Sequence, residues 1–282
     1  MDLVTKTKEE RYKSSSSLSM RYTQIPYDII QITMKISVII PVLNGATTIR
    51  DTMDSIFAQT YSDFECIVVD GGSTDTTLAI LEEYQKEDSR IHILNAPKVG
   101  IYSSINEGIK SASGEIVNIL NSDDFYDDSA VFQNIIHAFE KDNADACYGD
   151  MIIIKKNDPS KIVKYWKAGI FNLKHVRSGW TPPHQTLFIK KEIYDQLGFY
   201  KDSFKIAGDY EFMLRVLLTE DITLSYIPKI LVRMRTGGVS TLSTKNRLLK
   251  WKEQRLSWKL NRMKVPFLFI TRRILSNIHQ YF

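Results

Sequence analysis

From residue 35 onward, short apolar runs rich in β-branched residues alternate with longer amphipathic segments. This alternation predicts strands joined by crossover helices, and therefore an α/β fold with a mostly parallel central sheet flanked by helices. Because the runs are apolar throughout, we expect these strands to be buried on both faces. The predicted strands are 36–40, 64–69, 91–94, 116–120 and 146–154. The predicted helices are 47–59, 75–86, 101–111 and 129–141.

Beyond residue 155 the alternation is weaker. A turn at Thr181-Pro182-Pro183 precedes a predicted strand at 186–189, and helices are predicted at 191–197 and 209–219. No internal repeat occurs, and no Gly- or Pro-rich linker separates an independently folding domain.

The loops that follow the predicted strands are the candidate chemical sites. Ligands of open α/β sheets bind beyond the carboxyl ends of the strands. The loops at those ends are polar or Gly-rich, with the sequences Pro41-Val42-Leu43-Asn44-Gly45, Asp70-Gly71-Gly72-Ser73, Ala96-Pro97-Lys98-Val99-Gly100 and Asn121-Ser122-Asp123-Asp124.

Adjacent carboxylates occur in the last of these loops, at Asp123 and Asp124. Two carboxylates so close repel each other unless a cation or hydrogen-bond donors neutralise them. A hard ion such as Mg²⁺ or Mn²⁺, held by these carboxylates and by substrate phosphates, would do so. The alternative is an Asx-type turn with a helix cap before Ser129, and the spacing leaves both interpretations open.

Three further motifs place polar groups at loop or helix ends. Asp70 follows a strand beside two glycines that permit a tight turn, and it is a candidate acceptor for a nucleobase imide. Asp209 and Glu211 open a predicted helix, where a carboxylate serves either as a cap or as a general base. His184 is one of five histidines, and it is either structural or part of a site.

Composition and charge narrow the possible partners. Cys66 and Cys147 lie in apolar runs without neighbouring metal ligands, which indicates reduced core thiols and a cytoplasmic location. Segment 1–33 has no apolar core typical of a signal peptide and is expected to be a disordered or extraneous leader, with Met34 as an alternative start. No stretch is long and apolar enough to cross a bilayer.

The net charge of +4 hides a basic C-terminal segment. Residues 245–282 contain ten Lys or Arg residues and one acid, Glu253. Without a nucleic-acid motif, such a tail favours an anionic membrane surface over DNA or RNA. The apolar residues of 245–263 predict a helix that either lies at the membrane interface or packs on the rest of the protein.

Taken together, the motifs resemble those of family 2 glycosyltransferases with a GT-A fold, in the bacterial polysaccharide and O-antigen branch. The resemblance covers about residues 35–240. The matching motifs are Ser37-Val38-Ile39-Ile40-Pro41-Val42-Leu43-Asn44, Val68-Val69-Asp70-Gly71-Gly72-Ser73-Thr74-Asp75, Gly100-Ile101-Tyr102 with Asn106-Glu107-Gly108-Ile109, Ser113-Gly114-Glu115 leading to Leu120-Asn121-Ser122-Asp123-Asp124, Pro183-His184-Gln185, Gly208-Asp209-Tyr210-Glu211 and Gly237-Gly238-Val239-Ser240.

The resemblance implies an inverting, metal-assisted transfer of a sugar from a nucleotide sugar, with UDP as the expected nucleotide. Asp209 would be the general base, and Mn²⁺ or Mg²⁺ would bind Asp123, with Asp124 as a second ligand. His184 and Glu211 would contact the acceptor or the diphosphate. The implied donor-binding residues are Pro41, Asn44, Asp70, Asn106, Asn121, Ser122 and Asp123. Asn121 replaces the usual first Asp of the family's Asp-x-Asp motif.

The resemblance also divides the chain. It implies a nucleotide-sugar half at 35–150, an acceptor half at 151–240 and a basic helical tail at 241–282. The tail would associate with the inner face of the cytoplasmic membrane, near an acceptor that is a glycan or a lipid-linked saccharide. The alternatives are a non-catalytic sugar-nucleotide or lipid-binding protein, a sugar-phosphate nucleotidyltransferase, and a glycoside hydrolase using Asp123 and Asp209.

Overall fold

The computed structural model describes residues 34–96, 100–237 and 243–266. The strands are β1 (Ile36–Val42), β2 (Phe64–Asp70), β3 (Ile91–Asn95), β4 (Ile116–Ile119), β5 (Phe125–Tyr126), β6 (Ala146–Lys155), β7 (Asp158–Trp166), β8 (Phe188–Lys190) and β9 (Leu224–Arg235). The helices are α1 (Ile49–Phe57), α2 (Thr77–Glu87), α3 (Ile101–Ser111), α4 (Val131–Asp142), α5 (Leu173–Arg177), α6 (Lys191–Leu197), α7 (Gly208–Leu218) and α8 (Thr244–Leu260).

All the strands belong to one sheet with the order β3-β2-β1-β4-β8-β6-β9-β5, and β7 pairs with β6. Strands β1 to β4 run parallel, as the alternating pattern predicts. Beyond β4 the sheet is mixed, because β8 is antiparallel to both β4 and β6 while β6 and β9 are parallel. The predicted α/β architecture is therefore confirmed. The part of the sheet in which all neighbouring strands are parallel is its first half, β1 to β4.

Helices cover both faces of the sheet. In β1, Val38 and Ile40 face the layer that contains α1, α2 and α4, whereas Ile39 faces α3 and the later helices. Every residue of β1 and β2 is buried, as expected for strands between two helical layers. Gly108 lets α3 lie directly on β1, since a Cβ at that position would be 2.3 Å from Ile39 Cγ2.

After residue 155 the helices predicted at 191–197 and 209–219 are confirmed as α6 and α7, whereas the strand is shifted. The strand expected at 186–189 begins at Phe188 as β8, after a 3-10 turn at His184–Thr186. Pro182 and Pro183 precede this turn, and the Thr186 hydroxyl donates hydrogen bonds to the Pro183 and Gly149 carbonyls at 2.9 and 3.0 Å. These contacts curl the chain before it enters the sheet, so the strand starts later than predicted.

The two cysteines lie in the core, as their apolar surroundings in the sequence predict. Cys66 and Cys147 are free and buried, which confirms them as core thiols, and burial raises the pKa of both.

Helix α8 packs on α7, with Trp258 completely buried. Among the described residues, no helix has the length and apolar character needed to span a membrane. The leader 1–33, the segment 97–99, Gly238-Val239-Ser240 and the end of the tail at 267–282 lie outside the described residues.

Candidate active site

The loops that follow β1 and β2 are tied together through Asn44. Its φ of 54° lies in the left-handed region, which Asn adopts more readily than most residues. Its Oδ1 accepts a hydrogen bond from the Thr74 N–H, and its own N–H donates to the Ser73 hydroxyl, both at 2.8 Å. Pro41 is buried within β1 opposite Val69. Pro41 and Asn44, two of the predicted donor-binding residues, thus lie at the carboxyl edge of the sheet.

Asp70, the last residue of β2, is fully buried with one carboxylate oxygen unsatisfied. Its Oδ2 closes the turn by accepting hydrogen bonds from the N–H groups of Gly72 and Ser73, each at 2.9 Å. Its Oδ1 is buried and accepts no hydrogen bond from the described part of the chain. Because a buried acceptor without a partner costs about 1–3 kcal/mol, this oxygen is suited to receive a donor from a ligand.

Asp124 holds together the loop that follows β4. Its buried carboxylate accepts hydrogen bonds from the Arg235 N–H and the Asn121 amide at 3.0 Å, and from the Gln185 amide at 3.2 Å. Burial and the neighbouring charge of Asp123 raise the pKa of Asp124 to about 7, against the opposing effect of these donors. Both oxygens of Asp124 have partners within the protein, which supports a structural role in this loop, and its metal ligation stays a prediction.

Asn121 takes part in the same network. Its amide nitrogen donates to Asp124 at 3.0 Å, which fixes the side chain within the loop, and its contact with the donor stays a prediction. Ser122 is fixed through its backbone, since its carbonyl oxygen accepts hydrogen bonds from the Thr48 and Thr52 hydroxyls at 3.0 and 3.1 Å. Together these contacts give the predicted donor-binding loop a defined conformation.

No sequence motif marks Arg235, yet this residue connects three parts of the site. Its side chain is buried at the end of β9, where it donates to the Asp123 carbonyl oxygen at 2.6 Å and pairs with the Asp51 carboxylate of α1. The guanidinium lies over the Phe125 ring, 4.9 Å from the centroid. Its partners are more than 100 residues away in the sequence, so only the fold could reveal it.

Asp123 presents the available carboxylate of this loop. No other described residue donates a hydrogen bond to it, and its side chain is half-buried at the rim. Partial burial raises the pKa of Asp123, while the charges of Arg235 and Lys156 oppose that shift. Lys156, in the turn between β6 and β7, is a second cation at this rim that sequence patterns did not indicate.

Asp209 lies in the first turn of α7, where the positive end of the helix dipole stabilises a carboxylate. The helix begins directly over the Tyr102 ring, because a Cβ on Gly208 would lie 2.8 Å from the ring carbons. Burial raises the pKa of Tyr102, and the nearby Asp209 charge raises it further. Gly208 is thus required for the close approach that sets the position of Asp209.

The 3-10 turn joins the two carboxylate-bearing regions. Gln185 donates to Asp124, and the adjacent His184 lies near Asp209, whose charge opposes the lowering of the His184 pKa by burial. The Nε2 atom of His184 is buried and has no hydrogen-bond partner within the residues that the structure describes. The turn therefore carries His184 close to Asp209, and its next residue, Gln185, contacts Asp124, the neighbour of Asp123 in sequence.

Two predicted site residues have partners within the protein. Glu211 is buried and ion-paired with Arg215 at 2.9 Å, which supports a structural role, and its contact with the acceptor or diphosphate stays a prediction. The Asn106 amide nitrogen donates to the Tyr200 carbonyl at 2.8 Å and to Asp202, and its oxygen accepts from the Tyr200 N–H at 3.0 Å. Asn106 thus anchors the segment before α7, and its contact with the donor stays a prediction.

Asp123 is the residue of this loop that could hold a divalent cation. The described residues contain no group of three or more His, Cys, Asp or Glu side chains that could hold a metal. Mg²⁺ is commonly bound through one or two carboxylates, with substrate phosphates and water completing its coordination. Asp123 could supply such a carboxylate because no other described side chain hydrogen-bonds it.

A model of the family described as Glycosyl transferase family 2 matches residues 37–206. This segment includes the loops after β1, β2 and β4 together with the 3-10 turn at His184, while Asp209, Arg235 and α8 lie beyond it. The PGL/p-HBAD biosynthesis glycosyltransferase of Mycobacterium bovis is 28% identical over 217 residues, which are 76% of this chain and 82% of that protein.

Two solved structures share the fold. S. aureus TarS 1–349 in complex with UDP-GlcNAc has a TM-score of 0.64 and 19% identity, and the match covers 87% of this chain and 74% of the TarS 1–349 chain. In a second TarS structure, with a longer chain, the match covers 37% of TarS. Mannosyltransferase PcManGT from Pyrobaculum calidifontis, in complex with GDP-Man and Mn²⁺, has a TM-score of 0.61 and 17% identity, covering 87% and 69%. The predicted α/β fold of GT-A type is confirmed.

We expect Arg235→Met to lower the free energy of unfolding by about 2–3 kcal/mol, because it removes buried charge-assisted hydrogen bonds. Arg233→Met in the same strand is the matched control. It breaks a more exposed pair with Asp127 and should cost about 1 kcal/mol or less. Urea unfolding followed by circular dichroism measures both values. Equal losses in the two variants would show that Arg235 has no special role in holding the loop.

Proposed function

Because this chain belongs to glycosyl transferase family 2 and is a glycosyltransferase, we propose that it moves a hexose or N-acetylhexosamine from a nucleotide sugar to a hydroxyl group, with inversion at the anomeric carbon. The acceptor is a glycan or a lipid-linked saccharide of bacterial cell-surface polysaccharide synthesis, such as an O-antigen or capsule. The observation that carries this proposal is the 3-10 turn at 184–186, in which His184 lies close to Asp209 while Gln185 contacts the Asp123-Asp124 loop.

The unsatisfied oxygen of Asp70 suggests how the nucleotide is chosen. An acceptor at this position pairs with the ring N–H of uracil, thymine or guanine, which adenine and cytosine lack. This chemistry supports a UDP, dTDP or GDP donor over an ADP or CMP donor. Of these we favour UDP, because TarS, which shares the fold, was solved with UDP-GlcNAc. Pro41 and Asn44 would line the same pocket.

Asp123 is the residue that would hold Mn²⁺ or Mg²⁺ together with the diphosphate of the donor. The ion would offset the charge that develops on the departing nucleotide. Support for a divalent ion comes from the uncommitted Asp123 carboxylate and from Mn²⁺ in the PcManGT complex. Lys156, whose charge acts on Asp123, lies where it would attract the same diphosphate.

Asp209 would act as the general base. Its carboxylate would take the proton of the acceptor hydroxyl while that oxygen forms a bond to the anomeric carbon from the face opposite the nucleotide. The bond between the sugar and the diphosphate oxygen breaks in the same displacement, so the configuration inverts. Burial lowers the pKa of His184, which favours its neutral form, and its Nε2, which has no partner among the described residues, would hydrogen-bond the acceptor or the diphosphate.

The outer face of α8 supports association with an anionic membrane surface near a lipid-linked acceptor. Leu248, Leu256 and Leu260 are exposed there, at 54%, 44% and 47%. The exposed basic residues of the helix are Lys245, Arg247, Lys252, Arg255 and Lys259. Basic side chains that alternate with exposed leucines suit the headgroup region of a bilayer. We place the enzyme in the cytoplasm at the inner face of the membrane.

Asp209→Asn should lower kcat for sugar transfer by 10²–10⁴-fold, the usual range for loss of a general base, while donor affinity stays within about twofold. Product formation by mass spectrometry and donor binding by calorimetry measure the two quantities. Asp221→Asn, at an exposed position beyond α7, is the control and should retain wild-type turnover. Full activity of Asp209→Asn would rule out the base assignment, and absence of transfer in the wild type with every donor would favour a non-catalytic protein.

Thermal-shift measurements test the donor and the metal together. UDP-, dTDP- or GDP-sugars should raise Tm more than ADP- or CMP-sugars, and EDTA should reduce that rise. Asp123→Asn should bind donor with an affinity that no longer responds to Mn²⁺, since its carboxylate is the proposed ligand. An undiminished response to Mn²⁺ in this variant would refute the Asp123 assignment, and a preference for ADP-sugars would refute the role of Asp70.

Vesicle co-sedimentation tests the membrane surface. The triple variant Lys252→Gln, Arg255→Gln and Lys259→Gln should bind anionic vesicles about 100-fold more weakly, at roughly 1 kcal/mol for each charge. A triple variant at Lys86, Lys141 and Lys161, each changed to Gln, alters net charge equally and should bind as the wild type does. Equal weakening in both variants would show that only net charge matters.

A further inference from the structure

Helix α8 lies beyond the segment that matches the family model. It contains one acidic residue, and the side chain of that residue is buried. Glu253 is the sole acidic residue within Thr244–Leu260 and is 7% exposed. Its basic neighbours Lys252 and Arg255 are exposed. Burial of a carboxylate in a helix otherwise so basic requires strong partners, because an unpaired buried charge is costly.

The partners of Glu253 are consecutive backbone N–H groups that lead into α7. Its Oε1 accepts a hydrogen bond from the Lys205 N–H at 2.9 Å. Its Oε2 accepts from the N–H groups of Ile206 and Ala207 at 2.9 and 2.8 Å. Ala207 is the residue that precedes the first turn of α7, so one carboxylate determines the path of the chain into the helix that carries Asp209.

Other contacts keep α8 in register with α7. Trp258 is completely buried, and its indole N–H donates to the Tyr210 hydroxyl at 2.9 Å. The Glu253 charge also acts on Tyr102, the residue over which α7 begins. The helix from outside the matched segment therefore contacts the chain on both sides of Asp209, through Ala207 and Tyr210.

We propose that Glu253 is a positioning residue for catalysis, and that α8 is a working part of the active site rather than an appended tail. By holding the N–H groups at 205–207, it sets the first turn of α7 and thereby the direction of the Asp209 carboxylate. A misplacement of about 1 Å at a reacting group costs up to about 100-fold in rate, so such a support affects turnover directly. This inference rests on Asp209 being the base of the proposed function.

The test compares Glu253→Gln, Glu253→Asp and, as the matched control, Glu220→Gln at an exposed position beyond α7. Gln offers an amide N–H group where backbone N–H groups need an acceptor, and Asp is too short to reach all of them. We expect kcat for transfer to fall about 10- to 100-fold in Glu253→Gln and by less in Glu253→Asp. The KM and Kd of the nucleotide sugar should stay within twofold. Glu220→Gln should match the wild type.

Circular dichroism below Tm establishes that each variant is folded, and Glu253→Asp provides the kinetic readout if Glu253→Gln does not fold. Unchanged kcat in a folded Glu253 variant would overturn the inference, as would a parallel loss of kcat and donor affinity, which indicates general loosening. Asp209→Asn is assayed alongside. If it is inactive while the Glu253 variants are fully active, only the positioning role fails; if it retains full activity, the proposed function itself fails.

Discussion

The site depends on the burial of one carboxylate, that of Asp124 at the end of the parallel half of the sheet. An ionisable group in that position must be met by donors, because the interior offers no water to replace them. The donors come from its own loop, from the 3-10 turn through Gln185 and from the backbone of β9 at Arg235. These hydrogen bonds join the loop after β4 to the 3-10 turn and to β9, which both belong to the mixed half of the protein.

The positions of the neighbouring side chains Arg235, Asp123 and His184 follow from these hydrogen bonds to Asp124. With β9 held at Asp124, the side chain of Arg235 reaches the Asp123 carbonyl and the Asp51 carboxylate, so the loop is held from two sides. Asp123 is then left with its carboxylate available at the rim. The same 3-10 turn that supplies Gln185 also carries His184 to Asp209. A single structural requirement therefore places the proposed donor-binding and acceptor-binding groups beside each other.

Helix α8 shows how one element can serve two surfaces. Its inner face is committed to α7 through Glu253 and Trp258, whereas its outer face exposes leucines and basic residues. A membrane-facing helix that also supports the proposed base would keep the site at a constant distance from a lipid-linked acceptor. The basic composition of the segment draws attention only to the outer face, because the inner contacts involve a few residues among many Lys and Arg.

The sequence by itself determined β1 to β4, β6, the main helices and the loops that bear Asp70, Asp123 and Asp209, because periodicity and turn residues are local properties that a short window contains; β5, β7 and β9 were not predicted. The tertiary structure alone decided which partners several side chains have. Asp124, Asn106 and Glu211 have partners within the protein, while Arg235 and Glu253 emerged without any motif. Each of these roles depends on burial or on a partner brought near by folding, as when residue 253 meets residue 207 or residue 235 meets residue 51. Because the energy of a carboxylate or guanidinium is set by what surrounds it, such roles exist only once the chain has folded.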